Sequence, residues 1–433
     1  MSRFESLQDW LNWIESCHPT EIELGLDRVG EVAQRLKLTF NLRFNTIRVI
    51  TVAGTNGKGS CVASLNALLM SAGCRVGCYT SPHFLHYNER IQINGEPIDD
   101  HSLIHAFECI DQARGDTRLT YFEFGTLAAL EIFQHSELDM VLLEVGLGGR
   151  LDAVNIIDPD IAIVTCIAID HQAWLGSDRE QIGAEKAGIF RAGKPALCAD
   201  PSPPDSLRAV AERCGARFYA RDHDFTVDLS FAGDSSEGYW AWQGQSAMGE
   251  CVTLADLPKS NLPMDSVAVA IQAVQLLGVK EIDYQCLSRI QLPGRFQSVA
   301  VEGHKVILDV AHNPAAARYL AAQLTADYCA GQTFAIMAIM NDKDGEGMLA
   351  ALKNNIDAWF LADLKHVSRA MVASELATLL HQQGIQMISV SKNVRQALRQ
   401  VLSLMEPEDR LVVLGSFFTV AEVMRLQVAK SYG

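Results

Sequence analysis

Seven consecutive residues, Gly54-Thr55-Asn56-Gly57-Lys58-Gly59-Ser60, combine three glycines, a lysine and two hydroxyls. They follow a β-branched run at 48–53 and lead into a helical pattern at 60–72. A glycine-rich turn between a strand and a helix presents backbone N–H groups and a helix N-terminus to phosphate. Lys58 can reach terminal phosphates, and the Ser60 hydroxyl can serve there or at a metal ion. The strict G-x-x-x-x-G-K-[ST] pattern is not met, since Val52 holds the first glycine position and Gly59 follows the lysine. The context still predicts nucleotide binding over an ordinary glycine-rich turn.

A second chemical signal is Glu144, a carboxylate in the apolar run 140–145. Burying it is expensive unless it is paired or metal-bound. Ser81 follows a strand-like run at 76–80, and His171 follows another at 161–169. Open α/β sheets bind ligands at such strand ends. Mg²⁺ prefers oxygen ligands, which suits Glu144 and Ser81 better than His171. On local chemistry alone, Ser81 before Pro82 could set a turn and His171 after Asp170 could cap a helix.

The elements that must position these groups alternate along the chain. Leu7, Trp10, Leu11 and Ile14 are spaced for one helix, and Leu26, Val29, Ala33 and Leu36 for another. Helical patterns at 124–134, 179–190 and 265–277 (ended by Gly278) alternate with the apolar runs, which implies a parallel sheet covered on both faces. Residues 200–256 break into short pieces that read as a small β region. After Leu292-Pro293-Gly294 the alternation restarts, with strands at 306–310, 333–339, 358–362 and 411–414 and helices at 315–326, 348–355, 373–382 and 394–405. The prediction is a two-domain α/β protein. Residues 1–291 would form a P-loop-containing parallel-sheet domain, and 292–433 a Rossmann-like α/β domain.

Composition bounds the function. Of 433 residues 48% are apolar, which supports a large core and excludes a wholly disordered chain. Thirty-six basic against 52 acidic residues leave a formal charge of −16, which disfavours nucleic-acid binding. Eleven scattered cysteines with no CxxC pair read as buried small hydrophobes in a reducing compartment. The start, MSRFESLQDW, has no hydrophobic signal region, and 161–169 is too short to span a bilayer. A soluble cytoplasmic protein with no nucleic-acid or membrane partner is expected.

The loop TVAGTNGKGS resembles the ATP loop of the Mur ligase superfamily, specifically the folylpolyglutamate synthases. YTSPHFLHYNERIQING, LTYFEFGTLAAL, LLEVGLGGRLDAVNII, IAIDHQAWLG, EKAGIF, LPGRFQ, LDVAHNP and GSFFTVAEV resemble that family's further blocks, in its order. TYFEFGT and EIELGLDRV are similar to the bacterial enzymes that are both dihydrofolate synthase and folylpolyglutamate synthase. The resemblance implies an ATP- and Mg²⁺-dependent ligase, acting as a monomer on dihydropteroate, reduced folates and L-glutamate. Such a reaction transfers the γ-phosphoryl group to a carboxylate, and an amine then attacks the acyl phosphate. Both steps concentrate negative charge. A folylpolyglutamate synthase without dihydropteroate activity is the nearest rival. A peptidoglycan-precursor ligase and an ATP-binding module without chemistry are more distant ones.

Residue roles follow from the same resemblance. Gly54 to Ser60 hold ATP, with Lys58 catalytic. Ser81, Glu144 and His171 hold one Mg²⁺, and His171 counts among the catalytic residues. Lys186 corresponds to a carbamylated catalytic lysine that supports a second Mg²⁺; by local sequence alone it reads as a surface helix lysine. A monovalent-cation site is left open. Thr120, Tyr121, Phe122 and Glu123 form a pteroate loop before the 124–134 helix, with Phe122 stacking and Glu123 reading the ring edge. Leu151, Asp152 and Ala153, and also Glu21, Ile22, Glu23 and Leu24, match substrate-contacting blocks. In the second domain Arg295 and Asp309 contact ATP, and His312 and Ser416 line the glutamate side. Without the resemblance, Asp309 and His312 could cap the helix that starts at Asn313-Pro314. Where the family has Asn near the adenine this chain has Asp265, which can cap its helix but lacks the amide.

Overall fold

A computed structural model of the protein describes residues 3–20, 22–38, 47–229 and 239–431, with side chains to residue 427. The chain divides into two compact units, Met1–Ile290 and Gln291–Gly433. The main sheet of the first unit contains β1 (Arg48–Ala53), β2 (Val76–Tyr79), β3 (Ile91–Ile93), β4 (Glu96–Pro97), β5 (Met140–Glu144), β6 (Ile161–Val164), β7 (Pro195–Cys198) and β8 (Arg217–Ala220). Their order is β4-β3-β2-β5-β1-β6-β7-β8. Neighbours from β2 to β8 are parallel, and β3 and β4 add an antiparallel edge. β5 and β6 are buried throughout, as expected for strands covered on both faces. The chain leaves β1 toward β2 on one side and later returns to β6 on the other. The loop after β1 therefore sits at the switch point where open α/β sheets bind ligands.

Three boundaries differ from the sequence expectation in ways that matter for the site. β6 stops at Val164, although the apolar run continues to Ile169. Beyond Val164 the backbone leaves the ladder: Ile167 N–H donates to the Asp200 carboxylate (2.9 Å) and Ala168 N–H to Thr55 Oγ1 (3.1 Å). The helix expected from 124 begins at Tyr121, so Tyr121, Phe122 and Glu123 are its first turn and not a loop. Thr120 Oγ1 accepts from Glu123 N–H while Glu123 accepts from Thr120 N–H, a reciprocal capping box. The T-x-x-E pattern that specifies it is visible in the sequence. The 179–190 helix ends at Lys186 and continues as a 3₁₀ turn, Ala187–Ile189.

Within the weakly patterned region, helix Asp205–Cys214 precedes β8, and a small antiparallel sheet comprises β9 (Thr226–Asp228), β10 (Trp240–Gln245) and β11 (Cys251–Leu257). This sheet is seated on helix Met264–Leu277. Trp242 Nε1 donates to the Ala268 carbonyl (3.1 Å), and Gln272 exchanges two hydrogen bonds with the Gln245 backbone (3.1 and 2.8 Å).

The second unit holds β12 (Gln297–Val301), β13 (His304–Leu308), β14 (Thr333–Met337), β15 (Ala358–Ala362), β16 (Ile388–Ser391) and β17 (Arg410–Leu414), in the order β12-β13-β17-β14-β15-β16. β12 and β13 form an antiparallel hairpin, and all other neighbours are parallel. β12 and β16 escape sequence patterning because they are edge strands with partly exposed faces. All eleven cysteines are free; only Cys61, Cys78 and Cys198 are buried, and Cys251 is exposed, contrary to the expectation of uniform burial. Among the described residues, no helix is long and apolar enough to cross a membrane.

Replacing Thr120 by Ala removes the cap of the Tyr121–Gln134 helix and should cost about 1–2 kcal/mol. Urea unfolding should show the midpoint lowered in Thr120→Ala and largely retained in Thr120→Ser, which keeps the hydroxyl.

Candidate active site

The loop after β1 is shaped by its glycines and leads straight into the N-terminus of helix Lys58–Ser71. Gly54 and Gly57 adopt φ of 151° and 83°, which favour glycine. A Cβ on Gly54 would lie 1.9 Å from Thr165 Oγ1, and one on Gly57 would lie 2.6 Å from Ser266 Oγ. The segment leaving β6 holds the loop from behind. Thr165 Oγ1 donates to the Asn56 carbonyl (2.6 Å), Thr55 N–H to the Cys166 carbonyl (2.7 Å), and Asn56 N–H to Cys166 Sγ (3.3 Å). Thr55 Oγ1 also donates to the Ala168 carbonyl (3.1 Å), and Ser266 Oγ to the Gly57 carbonyl (3.3 Å). Thr165, Cys166 and Ser266 were not expected in the site, because Thr165 and Cys166 lie in an apolar run and Ser266 in the first turn of a helix distant in sequence.

Helix Lys58–Ser71 starts directly from this loop and carries no acidic residue in its first turn, leaving its N-terminal dipole uncompensated. Lys58 Nζ donates to the Gly54 and Thr55 carbonyls (3.1 and 3.4 Å). Ser60 Oγ is buried without a hydrogen-bond partner among the described residues, an oxygen available to a metal ion or phosphate.

Ser81, Glu144 and His171 lie on this same sheet edge. Ser81 follows β2, and its N–H donates to Glu144 Oε2 at 3.1 Å. Glu144 ends β5, paired in register with Val52 of β1. His171 follows β6 in a left-handed conformation (φ 52°, ψ 42°), its N–H donating to Asp170 Oδ1 (2.8 Å). It precedes the short helix Gln172–Leu175 but makes no side-chain cap. Among the described residues, no group of three or more His, Cys, Asp and Glu side chains is arranged to hold a metal ion by itself. A hydroxyl and a carboxylate on a phosphate-binding edge fit Mg²⁺, which takes few protein ligands and completes its shell with phosphate and water.

Lys186 corrects the surface-lysine reading: it ends helix Arg179–Lys186 and is 3% exposed. Burial, and then the neighbouring Lys58 charge, push its amine down to about 7. Asp152 is also buried. Burial pushes its carboxyl up to about 7, although it accepts from Leu147 and Val154 N–H (2.8 and 3.0 Å). Lys58 opposes that rise, and Asp152 favours the charged form of Lys186.

Three substrate-matching segments come together in the first unit. Gly25 N–H donates to the Leu151 carbonyl (3.2 Å), which ties residues 22–24 to residues 151–153. Phe122 lies 5.9 Å from the Tyr79 ring, with its edge against Gly146. Tyr121 packs edge-on to Tyr87 at 5.6 Å. Glu123 departs from the ring-edge role: its oxygens accept from Arg28 Nε (2.8 and 3.0 Å) and from Thr120 N and Oγ1 (both 2.8 Å). Arg28 also binds Glu23, a link that the sequence reading missed. Glu21 lies outside the described residues. Asp265 does not cap its helix, whose N-cap is Pro263; it accepts instead from Arg221 Nε at 3.0 Å.

In the second unit, Asp309 follows β13 and accepts from Phe296 and Ala311 N–H (both 2.8 Å). Burial pushes its carboxyl up, and Arg295 opposes the rise. The Arg295 guanidinium lies 5.2 Å over the Phe417 ring. His312 Nδ1 donates to the Val310 carbonyl (2.8 Å), and Gly415 N–H to the Ala311 carbonyl (3.0 Å), which joins the loops after β13 and β17. The following helix is capped by Asn313, not by Asp309 or His312. Ser416 Oγ accepts from Thr419 N–H (3.1 Å) at the start of helix Phe417–Ser431.

Residues 294–417 match the model of the Mur ligase, glutamate ligase domain. The chain is 41% identical over 430 residues to the dihydrofolate synthase/folylpolyglutamate synthase of Escherichia coli (strain K12), covering 99% of this chain and 97% of that protein. It belongs to that family. Solved family members superpose along nearly the whole chain. E. coli FolC in complex with DHPP and ADP gives a TM-score of 0.89 at 40% identity, covering 99% of each chain. A bifunctional folylpolyglutamate synthase/dihydrofolate synthase with Mn, AMPPNP and L-glutamate bound gives 0.86 at 43% identity, covering 98% of each chain. The family is one of glutamate-adding ligases, in keeping with the glutamate ligase domain matched in the second unit.

Asp152 and Lys186 have opposite linkage signs. Between about pH 4 and 7 the folded protein holds a proton on Asp152 that the unfolded chain releases, so this contribution to stability falls as pH rises. Between about pH 7 and 10.5 the unfolded chain holds a proton that a free Lys186 amine releases on folding, so that contribution rises with pH. Thermal unfolding of Lys186→Met beside the unmodified wild type should therefore show a difference that favours the variant most near pH 7 and narrows by pH 10. A pH-independent difference would contradict the buried-amine assignment.

Proposed function

We propose that this protein is an ATP-dependent ligase that joins L-glutamate to dihydropteroate and adds further glutamates to reduced folates. The observation that carries the reading is one electrostatic cluster: the Lys58 charge of the nucleotide loop acts on both Asp152 of the acceptor segment and Lys186, and Asp152 acts on Lys186. Nucleotide and acceptor elements thus share one edge of the sheet. The helix N-terminal amides at 58–60 and the Lys58 ammonium take the β- and γ-phosphates of ATP. The acceptor carboxylate attacks the γ-phosphorus; ADP leaves and an acyl phosphate forms. The amine of glutamate attacks the acyl carbon, loses a proton and expels phosphate. Fixed donors aimed at the developing charge lower both barriers without reorganising. Ser81, Glu144 and His171 would hold Mg²⁺, which neutralises phosphate charge during transfer.

Lys186 suits carbamylation. A buried amine titrating near 7 is substantially neutral at physiological pH, and its lone pair can add to CO₂ with loss of a proton. The product is a carboxylate able to support a second ion. Phe122, Leu151, Asp152 and Ala153 form the acceptor side with residues 21–24. Arg295 and Asp309 serve the nucleotide, and His312 and Ser416 serve glutamate.

ATP, Mg²⁺ and labelled glutamate are supplied with either dihydropteroate or tetrahydrofolate. Label should enter both acceptors. Incorporation with tetrahydrofolate alone would reduce the activity to folylpolyglutamate synthesis, and no ADP release with either would reject the ligase reading. Lys58→Ala should lower turnover by about 10²–10³-fold or more, the scale for removing one transition-state donor. Its thermal unfolding should match the wild type, since Lys58 bonds only loop carbonyls.

A further inference from the structure

We propose that Arg28 is a positioning residue of the acceptor site: its guanidinium clips the 22–24 segment to the helix start that carries Phe122. This rests on the acceptor reading given above. Arg28 lies in helix Asp27–Arg35 and uses all three of its nitrogens. Nε donates to both oxygens of Glu123 (2.8 and 3.0 Å), one terminal nitrogen to the Glu23 carboxylate, and the other to the Glu23 carbonyl. A planar fork with donors in fixed directions sets the relative placement of everything it binds, which a lysine ammonium cannot do.

Burial decides which contacts are rigid. Glu123 is 3% exposed and is pinned a second time by the Thr120 backbone and hydroxyl. A buried carboxylate held by four contacts is a fixed anchor, and Arg28 extends that anchor to the partly exposed Glu23. His18 Nε2 lies 3.3 Å from the other Glu23 oxygen, and three residues before Glu123 the Thr120 cap sets the entry of the Phe122 helix. At its far end the segment is held by the bond from Gly25 N–H to the Leu151 carbonyl, beside Asp152. Residues 22–24 therefore hang between two fixed points. One is the helix that presents Phe122, and the other is the turn that presents Asp152. Glu123 then acts through Arg28 rather than on the substrate.

The test uses Arg28→Lys, which still pairs with Glu123 but cannot also hold the Glu23 carboxylate and carbonyl, and Glu23→Gln, which alters only the partly exposed partner. Amide hydrogen exchange of the ligand-free protein should quicken at residues 22–28 in both variants and stay unchanged in β1 and β5. In the glutamate-incorporation assay, Arg28→Lys should raise KM for dihydropteroate about tenfold, below the hundredfold that a full ångström of misplacement can cost. KM for ATP should stay within about twofold, because uniform loss of one substrate's binding leaves the other untouched. Glu23→Gln should move KM for dihydropteroate in the same direction by less. Equal rises in both KM values, or an altered dihydropteroate KM with unchanged exchange at 22–28, would overturn the clip. An unchanged dihydropteroate KM in a normally active wild-type background would overturn this inference alone. A wild type inactive with both acceptors would overturn the ligase reading and this inference together.

Discussion

The site depends on one constraint: the loop at 54–57 must be held against the segment leaving β6 so that the helix N-terminus at 58–60 opens directly from it. Carbonyls left unpaired inside would be costly, so each needs a donor. Thr165 supplies one to Asn56 and Ser266 one to Gly57, while Thr55 N–H is drawn back to Cys166. These requirements propagate outward. β6 has to stop at Val164 so that Thr165 and Cys166 can pass beneath the loop. Helix Met264–Leu277 has to present Ser266 at its start, and the small β9–β11 sheet packs on that helix through Trp242 and Gln272. A peripheral sheet thus serves the phosphate loop by fixing the helix that touches it.

Charge is arranged by the same local logic. The chain carries a formal −16, yet burial and then the nearby Lys58 charge push the Lys186 amine down. Two ammonium groups in a buried setting repel each other, and carbamylation of one would replace that repulsion with attraction. Asp152, held partly protonated by burial, is the complementary distortion. Groups pushed toward neutrality in opposite directions mark sites of chemistry more than of stability. Net charge bears on nucleic-acid surfaces, whereas a bound anion answers to the few groups within a Debye length of it.

Much of the fold was legible because the buried parallel strands are continuous apolar runs and the helices carry long periodic faces. β5, β15 and the Met264–Leu277 helix follow that rule closely. What was hidden shares a cause: residues whose partners are distant in sequence. β12 and β16 are edge strands with mixed burial, so neither periodicity stands out. Lys186 looks like a surface residue in EKAGIF, and only tertiary packing buries it. Arg28 and Glu123 are 95 residues apart, and nothing local announces their pairing. Thr165 and Cys166 were read as strand because apolar character persists where the ladder has ended. The start of the Tyr121–Gln134 helix is different, since its T-x-x-E signal is local and sufficient.

The loop between β5 and Asp152 shows why acceptor and nucleotide elements cannot vary independently. It leaves the strand at Glu144, which accepts from Ser81 N–H, and passes Gly146, where a Cβ would meet the Phe122 ring at 2.6 Å. At Gly149 a Cβ would come within 2.8 Å of the Lys186 carbonyl, and Arg150 N–H donates to the Glu185 carbonyl (2.9 Å). Leu151 then receives Gly25, and Asp152 folds its carboxylate back onto Leu147 N–H. Fewer than ten residues therefore touch the Phe122 ring, the buried Lys186 and Gly25 at the end of the 22–24 segment. On the proposed reading, a shift anywhere along this loop would move the acceptor relative to the nucleotide. In-line transfer tolerates little such error. The tight packing of small residues here is thus a condition on the chemistry, imposed through a backbone that contributes few reacting groups of its own.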